Sequence, residues 1–193
     1  GQQAPAATQS LWTSGAADFP CYRQPAIAPI PGTATLLAFV EGRFSAPCAP
    51  PLGQAELPYE VGGMNLRVST DHGASWGPSR VIYGNATKQG PNMDYFSAVA
   101  IGKDVHLFLA VKGIQHFVSA DSGASWDGPT PLPLPEGGAV PHAPTCGHGV
   151  VLSNGDVVVP AVCNGSCALI SSDKGHSWRV GGFGVKGSRE SSI

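Results

Sequence analysis

The octet Ser69-Thr70-Asp71-His72-Gly73-Ala74-Ser75-Trp76 returns twice more, from Ser119 to Trp126 and from Ser171 to Trp178, each copy fitting S-x-D-x-G-x-x-W. The aspartates stand at 71, 121 and 173, so the period is 50 to 52 residues. A fixed period of this size marks copies of one supersecondary unit, stacked or arranged radially. Within the octet, aspartate suits a turn because its carboxylate accepts hydrogen bonds from backbone amides, and glycine supplies a conformation that other residues resist. Tryptophan serves as an apolar plug beneath the turn. Asp71, Gly73 and Trp76, Asp121, Gly123 and Trp126, and Asp173, Gly175 and Trp178 are therefore expected to build scaffold and not to perform chemistry.

The sequence between octets reads as strands. Thr33 to Val40 is apolar and β-rich, bounded by Pro31-Gly32 and Gly42. Ala98 to Leu109 forms a hairpin about Gly102-Lys103-Asp104, and Val151 to Val159 another about Asn154-Gly155, where Asn-Gly suits a type I′ turn. Further strands, His116 to Ala120 and Ala168 to Ser172, run into the second and third octets. The order hairpin, third strand, octet, fourth strand predicts four antiparallel strands per repeat, the arithmetic of a propeller blade. No segment sustains the apolar spacing of an amphipathic helix.

Composition excludes several functions. With 12% charged residues and a formal net charge of −2, the chain lacks the basic field that nucleic acid or an anionic membrane requires. No apolar run is long enough for a transmembrane helix. Residues 1–10 read as a flexible lead-in, and a first residue other than Met is expected from a processed or truncated start. Two N-glycosylation patterns, Asn85-Ala86-Thr87 and Asn164-Gly165-Ser166, favour a secreted or lumenal location, lysosomal or membrane-associated, and leave the cytoplasm open. Cys163 and Cys167 bracket the second pattern and suit either a small disulfide loop or two buried thiols. Cys146-x-His148 and Cys163-x-x-x-Cys167 match no zinc template, so no metal and no cofactor is expected.

The octets resemble the Asp boxes of sialidases (neuraminidases), and four further segments resemble that family, one of them its animal-type members. Tyr22-Arg23-Gln24-Pro25 is similar to the F/Y-R-I-P motif, with Gln24 in place of the usual apolar residue. Leu37-Ala38-Phe39-Val40-Glu41-Gly42-Arg43 is close to the family's L-A-F-x-E-x-R run. Ser188-Arg189-Glu190-Ser191-Ser192 resembles the segment carrying a glutamate about a dozen residues after the third Asp box. The Cys146 to Ala161 stretch is similar to the family's G-x-G-H-G and V-V-P-A hairpin.

The resemblance implies an all-β fold, a six-bladed β-propeller of the sialidase type, of which residues 11–193 supply roughly the first three blades. It implies an exo-α-sialidase, a retaining glycoside hydrolase that removes terminal sialic acid from glycoproteins, glycolipids or oligosaccharides, as in ganglioside catabolism. Arg23 is then the first of three arginines that clamp the substrate carboxylate, a task suited to a planar fork of donors that stays charged. Glu41 is implied to orient Arg23, and Arg43 to add positive charge to the same pocket. Glu190 is implied to accept a hydrogen bond from the nucleophilic tyrosine, and an aspartic acid to act as acid and then base.

That aspartate is absent. The pattern puts it ten residues before Val68, where Pro58 stands, and between Phe44 and Gly63 the only carboxylates are Glu56 and Glu60. Glu60 is the substitute, its intrinsic pKa being close to that of aspartate. The tyrosine and the remaining arginines belong to later blades and have no counterpart here, so the chain reads as a fragment inactive alone. A non-catalytic Asp-box propeller binding sialylated glycans or proteins is the alternative. A sortilin-like module ranks lower, having no reason to carry the Arg23 and Glu41 segments. In either leading reading the partner is a sialylated glycoconjugate.

Overall fold

The structure, a computed structural model, describes residues 8–15, 18–44, 48, 61–85, 93, 95–136 and 140–188. Three antiparallel sheets follow one another along the chain. The first holds β1 (Cys21–Pro29), β2 (Leu36–Arg43), β3 (Val61–Ser69) and β4 (Arg80–Gly84) in that spatial order. The second holds β5 (Phe96–Ile101), β6 (Asp104–Ala110), β7 (Ile114–Ser119) and β8 (Asp127–Pro131). The third is led by the short strands β9 (Ala143–Pro144) and β11 (Val150–Val151). Both pair with β12 (Val157–Val162), followed by β13 (Ser166–Ser171) and β14 (Arg179–Gly181). No helix occurs among the described residues.

Each octet joins the third strand of its sheet to the fourth, as the sequence order predicts. The three are built alike. The Asp71 carboxylate accepts the Ser75 amide at 2.9 Å and the hydroxyls of Ser69 and Ser75. Asp121 and Asp173 repeat this with Ser119 and Ser125, and with Ser171 and Ser177. The leading serine does more than its place in the pattern suggested, since its hydroxyl also accepts the amide of the octet glycine. These donors, the serine hydroxyl foremost, hold each aspartate at about 2, below the usual carboxylate range.

The second and third octets also clamp neighbouring sheets. Trp126 meets the edge of Phe39 in the first sheet with ring centroids 6.0 Å apart, and Trp178 meets Phe108 in the second at 4.9 Å. Arg80, at the start of β4, donates to the Ala124 carbonyl of the next octet at 2.7 Å. A Cβ on Gly123 would stand 2.7 Å from Leu37, and one on Gly175 2.5 Å from His106. Glycine is thus required twice over there, for a φ near +87° and for the close approach of the preceding sheet. Trp126 and Trp178 are thus more than plugs under their own turns.

The cores lie between sheets. Leu37, Phe39, Met64 and Leu66 pack against Phe96, Leu107 and Leu109. Phe108 and Val99 pack against Val157, Val159, Leu169 and Trp178. Each such side chain contributes about 1.5–3 kcal/mol by leaving water. β2 is buried almost throughout, which fits the apolar run from Leu36 to Val40, and Glu41 and Arg43 beyond it are buried as well.

Three local expectations need correction. β2 begins at Leu36 and not at Thr33, because Thr33 caps a turn by bonding the Ile30 carbonyl with its amide and its hydroxyl. The Asn154-Gly155 turn is not type I′. Only Gly155 has positive φ, and a wider loop closes through the Leu152 amide on Asp156 and Gly155 on Leu152. The third difference is that the Cys146 to Ala161 stretch is more than a hairpin. Between β9 and β11 the chain leaves the third sheet, and β10 (Gly147–His148) pairs in parallel with β5 of the second. The Gly149 amide then bonds the Ala98 carbonyl at 2.9 Å. This stitch needs Gly149, where a Cβ would stand 2.8 Å from both Val158 and Val159.

Candidate functional site

The octets define one end of the assembly. Octet one leaves β3 at Ser69, the Cα partner of Leu36, and its His72 amide bonds the Ala34 carbonyl. Gly123 of octet two sits on Leu37, and Gly175 of octet three on His106 and Ile101 beside the β5–β6 turn. All three therefore cluster where each second strand begins. The opposite end carries the connections between second and third strands, including Val111 to Gly113 and Cys163 to Gly165.

Arg23, Glu41 and Arg43 lie at that opposite end. Arg23 on β1 is the direct Cα partner of Glu41 on β2, so their side chains leave the sheet on one face. Glu41 and Arg43 are two apart on a strand and share that face as well, as their spacing implied. Arg43 donates from Nε at 2.9 Å and from Nη2 at 2.5 Å to the same Glu41 oxygen. Both side chains are almost wholly removed from solvent. A buried pair of this kind persists because each charge would be far costlier alone.

Arg23 ends the regular part of β1. The pairing slips between Arg23 and Ala26, and Gln24 adopts φ +59° inside the bulge. Bulges re-aim side chains and recur beside binding sites. A residue ahead of proline rarely takes this conformation, so Gln24 carries local strain. The sequence showed Gln24 as a departure in residue type and gave no sign of its backbone. Arg23 also lines an open cleft of about 290 Å³ with Trp12, Tyr22 and Pro25.

On the other face of β1, Tyr22 begins a cross-strand row continued by Gly42, Gly63 and Gly84. The fully buried ring of Phe19 takes up the space beside Gly42 and Gly62, where a Cβ would come within 2.3 Å of it. Tyr22 meets Phe19 edge-on at 5.8 Å, and burial, followed by the charge of Asp18, pushes its hydroxyl pKa up. Cys21 at the head of β1 is bonded to Cys48, a disulfide that cysteine spacing did not reveal. Cys163 and Cys167 are also joined, which decides between the two readings of that pair.

The segment after β14 returns to the Arg23 end. Gly184 donates to the Ser166 carbonyl at 2.8 Å, and the Ser188 hydroxyl accepts the Ser166 amide at 2.9 Å and meets the Ser166 hydroxyl at 2.7 Å. Ser166 opens β13 beside the Cys163–Cys167 turn, so the chain reaches this end two residues before Glu190. Glu190 and Glu60 both lie outside the described residues.

One ionisable cluster was missed. His106 Nδ1 and His116 Nε2 are 2.9 Å apart, His116 lies flat on Phe108, and Trp178 covers both. Burial, then the neighbouring His106, brings His116 down to about 4. Burial likewise lowers His106. Their sequence positions look scattered, and only the β6–β7 register brings them together.

No family model matches the sequence, and no curated protein does. Solved structures match the fold. Hadza microbial sialidase Hz136 aligns with a TM-score of 0.68 and 15% identity, over 90% of this chain and 39% of that one. Trypanosoma rangeli sialidase in complex with 2,3-difluorosialic acid, described as a covalent intermediate, aligns at 0.61 and 17%, over 88% of this chain and 32% of that one. A Dyadobacter fermentans protein of unknown function aligns at 0.55 and 17%. The all-β architecture is that of a sialidase-like fold. The chain spans under two-fifths of the length of the sialidases it matches.

Proposed function

We propose that this chain is the N-terminal part of an exo-α-sialidase, a retaining glycoside hydrolase acting on terminal sialic acid. The carrying observation is the alignment of Arg23 with the buried Glu41–Arg43 pair at one end of a sialidase-like fold. Arg23 grips the substrate carboxylate through its guanidinium fork, and Glu41 and Arg43 fix the sheet from which it projects. The second and third octets hold neighbouring sheets together at the far end, so they set the spacing of this end without meeting substrate. In this reading the chain continues as a six-bladed propeller, and later blades supply the other two arginines and the tyrosine.

The chemistry follows from the substrate. Sialic acid bears a carboxylate on its anomeric carbon, which would repel a carboxylate nucleophile. A neutral tyrosine avoids that repulsion, and Glu190 accepts its proton as it attacks. Glu60 protonates the departing aglycone oxygen and then takes a proton from the attacking water. The return of the chain to the Arg23 end at Ser188 supports this role for Glu190.

The test is turnover of a fluorogenic sialoside by the full-length protein, with 2,3-difluorosialic acid as a covalent trap. Hydrolysis and a stable mass increment on a tyrosine are expected. The absence of any aspartate between Phe44 and Gly63 favours one other reading, a propeller that binds sialylated glycans without cleaving them. Saturable sialoside binding with neither turnover nor trapping would select it.

A further inference from the structure

We propose that Asn164 is an N-glycosylation site, whose glycan stands at the same end of the sheets as Arg23. Asn164 begins the pattern Asn164-Gly165-Ser166, in which the middle residue is not proline. It is exposed at the tip of the β12–β13 hairpin, between Val162 and Ser166. The bond between Cys163 and Cys167 fastens the base of this tip, and the Cys163 amide closes it on the Gly165 carbonyl at 2.8 Å. A glycan on Asn164 projects into solvent and displaces no core side chain.

The disulfides supply the second line of argument. Four of the five cysteines are paired, Cys21 with Cys48 and Cys163 with Cys167. Such pairing belongs to an oxidising compartment, where N-glycosylation patterns are also read. The exposed asparagine and the disulfides thus point to one compartment from unrelated chemistry.

The reaction is a transfer from a polyprenyl-pyrophosphate-linked oligosaccharide. A bond forms between the Asn164 side-chain nitrogen and C1 of the first sugar, while the C1–oxygen bond breaks and polyprenyl pyrophosphate leaves with the electron pair. The amide gives up one proton to a base. In the folded chain the Ser166 hydroxyl is engaged by Ser188, so transfer precedes docking of residues 183–188. Chain order permits this, because the pattern emerges before that segment does.

The experiment is expression of the full-length protein through the secretory pathway of a eukaryotic host. Proteolytic peptides are treated with a glycan-releasing amidase in ¹⁸O water, which cleaves the sugar from a glycosylated asparagine and leaves labelled aspartate. The peptide containing residue 164 is expected to carry the label in most copies. Asn164→Gln is expected to remove one amidase-sensitive mobility step, and Ser166→Thr, which keeps the pattern, to retain it. Recovery of the wild-type 164 peptide wholly unlabelled, from protein with the Cys163–Cys167 bond intact, overturns the proposal. Because that reading is taken on wild-type protein, it stands even if a variant fails to leave the cell.

Discussion

Glu41 receives two hydrogen bonds from Arg43 on a single oxygen, at an end of β2 that water scarcely reaches. The direct Cα partner of Glu41 is Arg23. A fixed carboxylate and a fixed guanidinium thus stand behind Arg23, which lies at a bulge and an open cleft.

Removing one partner of that buried pair is expected to be expensive. Glu41→Ala should destabilise the protein by about 3–5 kcal/mol, since it takes a charged partner from the buried Arg43 guanidinium. Replacing both by apolar residues of similar volume, Glu41→Leu with Arg43→Met, should recover much of that loss. Chemical denaturation measures both. A cost under about 1 kcal/mol for Glu41→Ala would mean that the pair is solvated.

Glycines with crowded and open surroundings should separate cleanly. Gly175→Ala combines φ +88° with a Cβ 2.5 Å from His106, whereas Gly102→Ala meets nothing within 4 Å at φ +63°. Overpacking should add about 1–3 kcal/mol at residue 175 beyond the conformational strain common to both. Thermal unfolding of the two variants side by side gives the difference. Equal losses would show that octet three is not pressed against the second sheet.

Much of the scaffold was legible because it is local. The octets carry their own hydrogen-bonding residues within eight positions, and the order of strands around them follows from the period. What the sequence hid depends on register or on long separation. The His106–His116 contact, the Cys21–Cys48 bond and the excursion of Gly147–His148 into the second sheet each join residues that no spacing rule connects. At the candidate site, the i, i+2 relation of Glu41 and Arg43 was readable from strand geometry. The bulge at Gln24 was not, because a non-glycine residue ahead of proline is a poor advertisement for positive φ.

The histidine pair sets an acid limit on stability. Both side chains titrate lower in the folded protein than the unperturbed value of 6.5, His116 at about 4. The unfolded chain therefore binds more protons, and stability is full above 6.5 and declines as pH falls from there toward 4. For His116 the total is on the order of 3 kcal/mol. The octet aspartates lose their contribution in a lower window, as pH falls from 3.8 through about 2. Denaturation midpoints between pH 7 and 4 check this, with His116→Asn expected to flatten the slope. An unchanged slope in that variant would place the proton elsewhere.

The central claim, that Arg23 binds the substrate carboxylate, is tested most directly by kcat/KM of full-length Arg23→Ala and Arg23→Lys on a fluorogenic sialoside. Loss of charge-assisted hydrogen bonds predicts a fall of roughly 10- to 100-fold or more for alanine. Lysine should restore part of it, as a point charge without the fork. Near-wild-type kcat/KM in Arg23→Ala, with the fold intact by circular dichroism, would contradict the account.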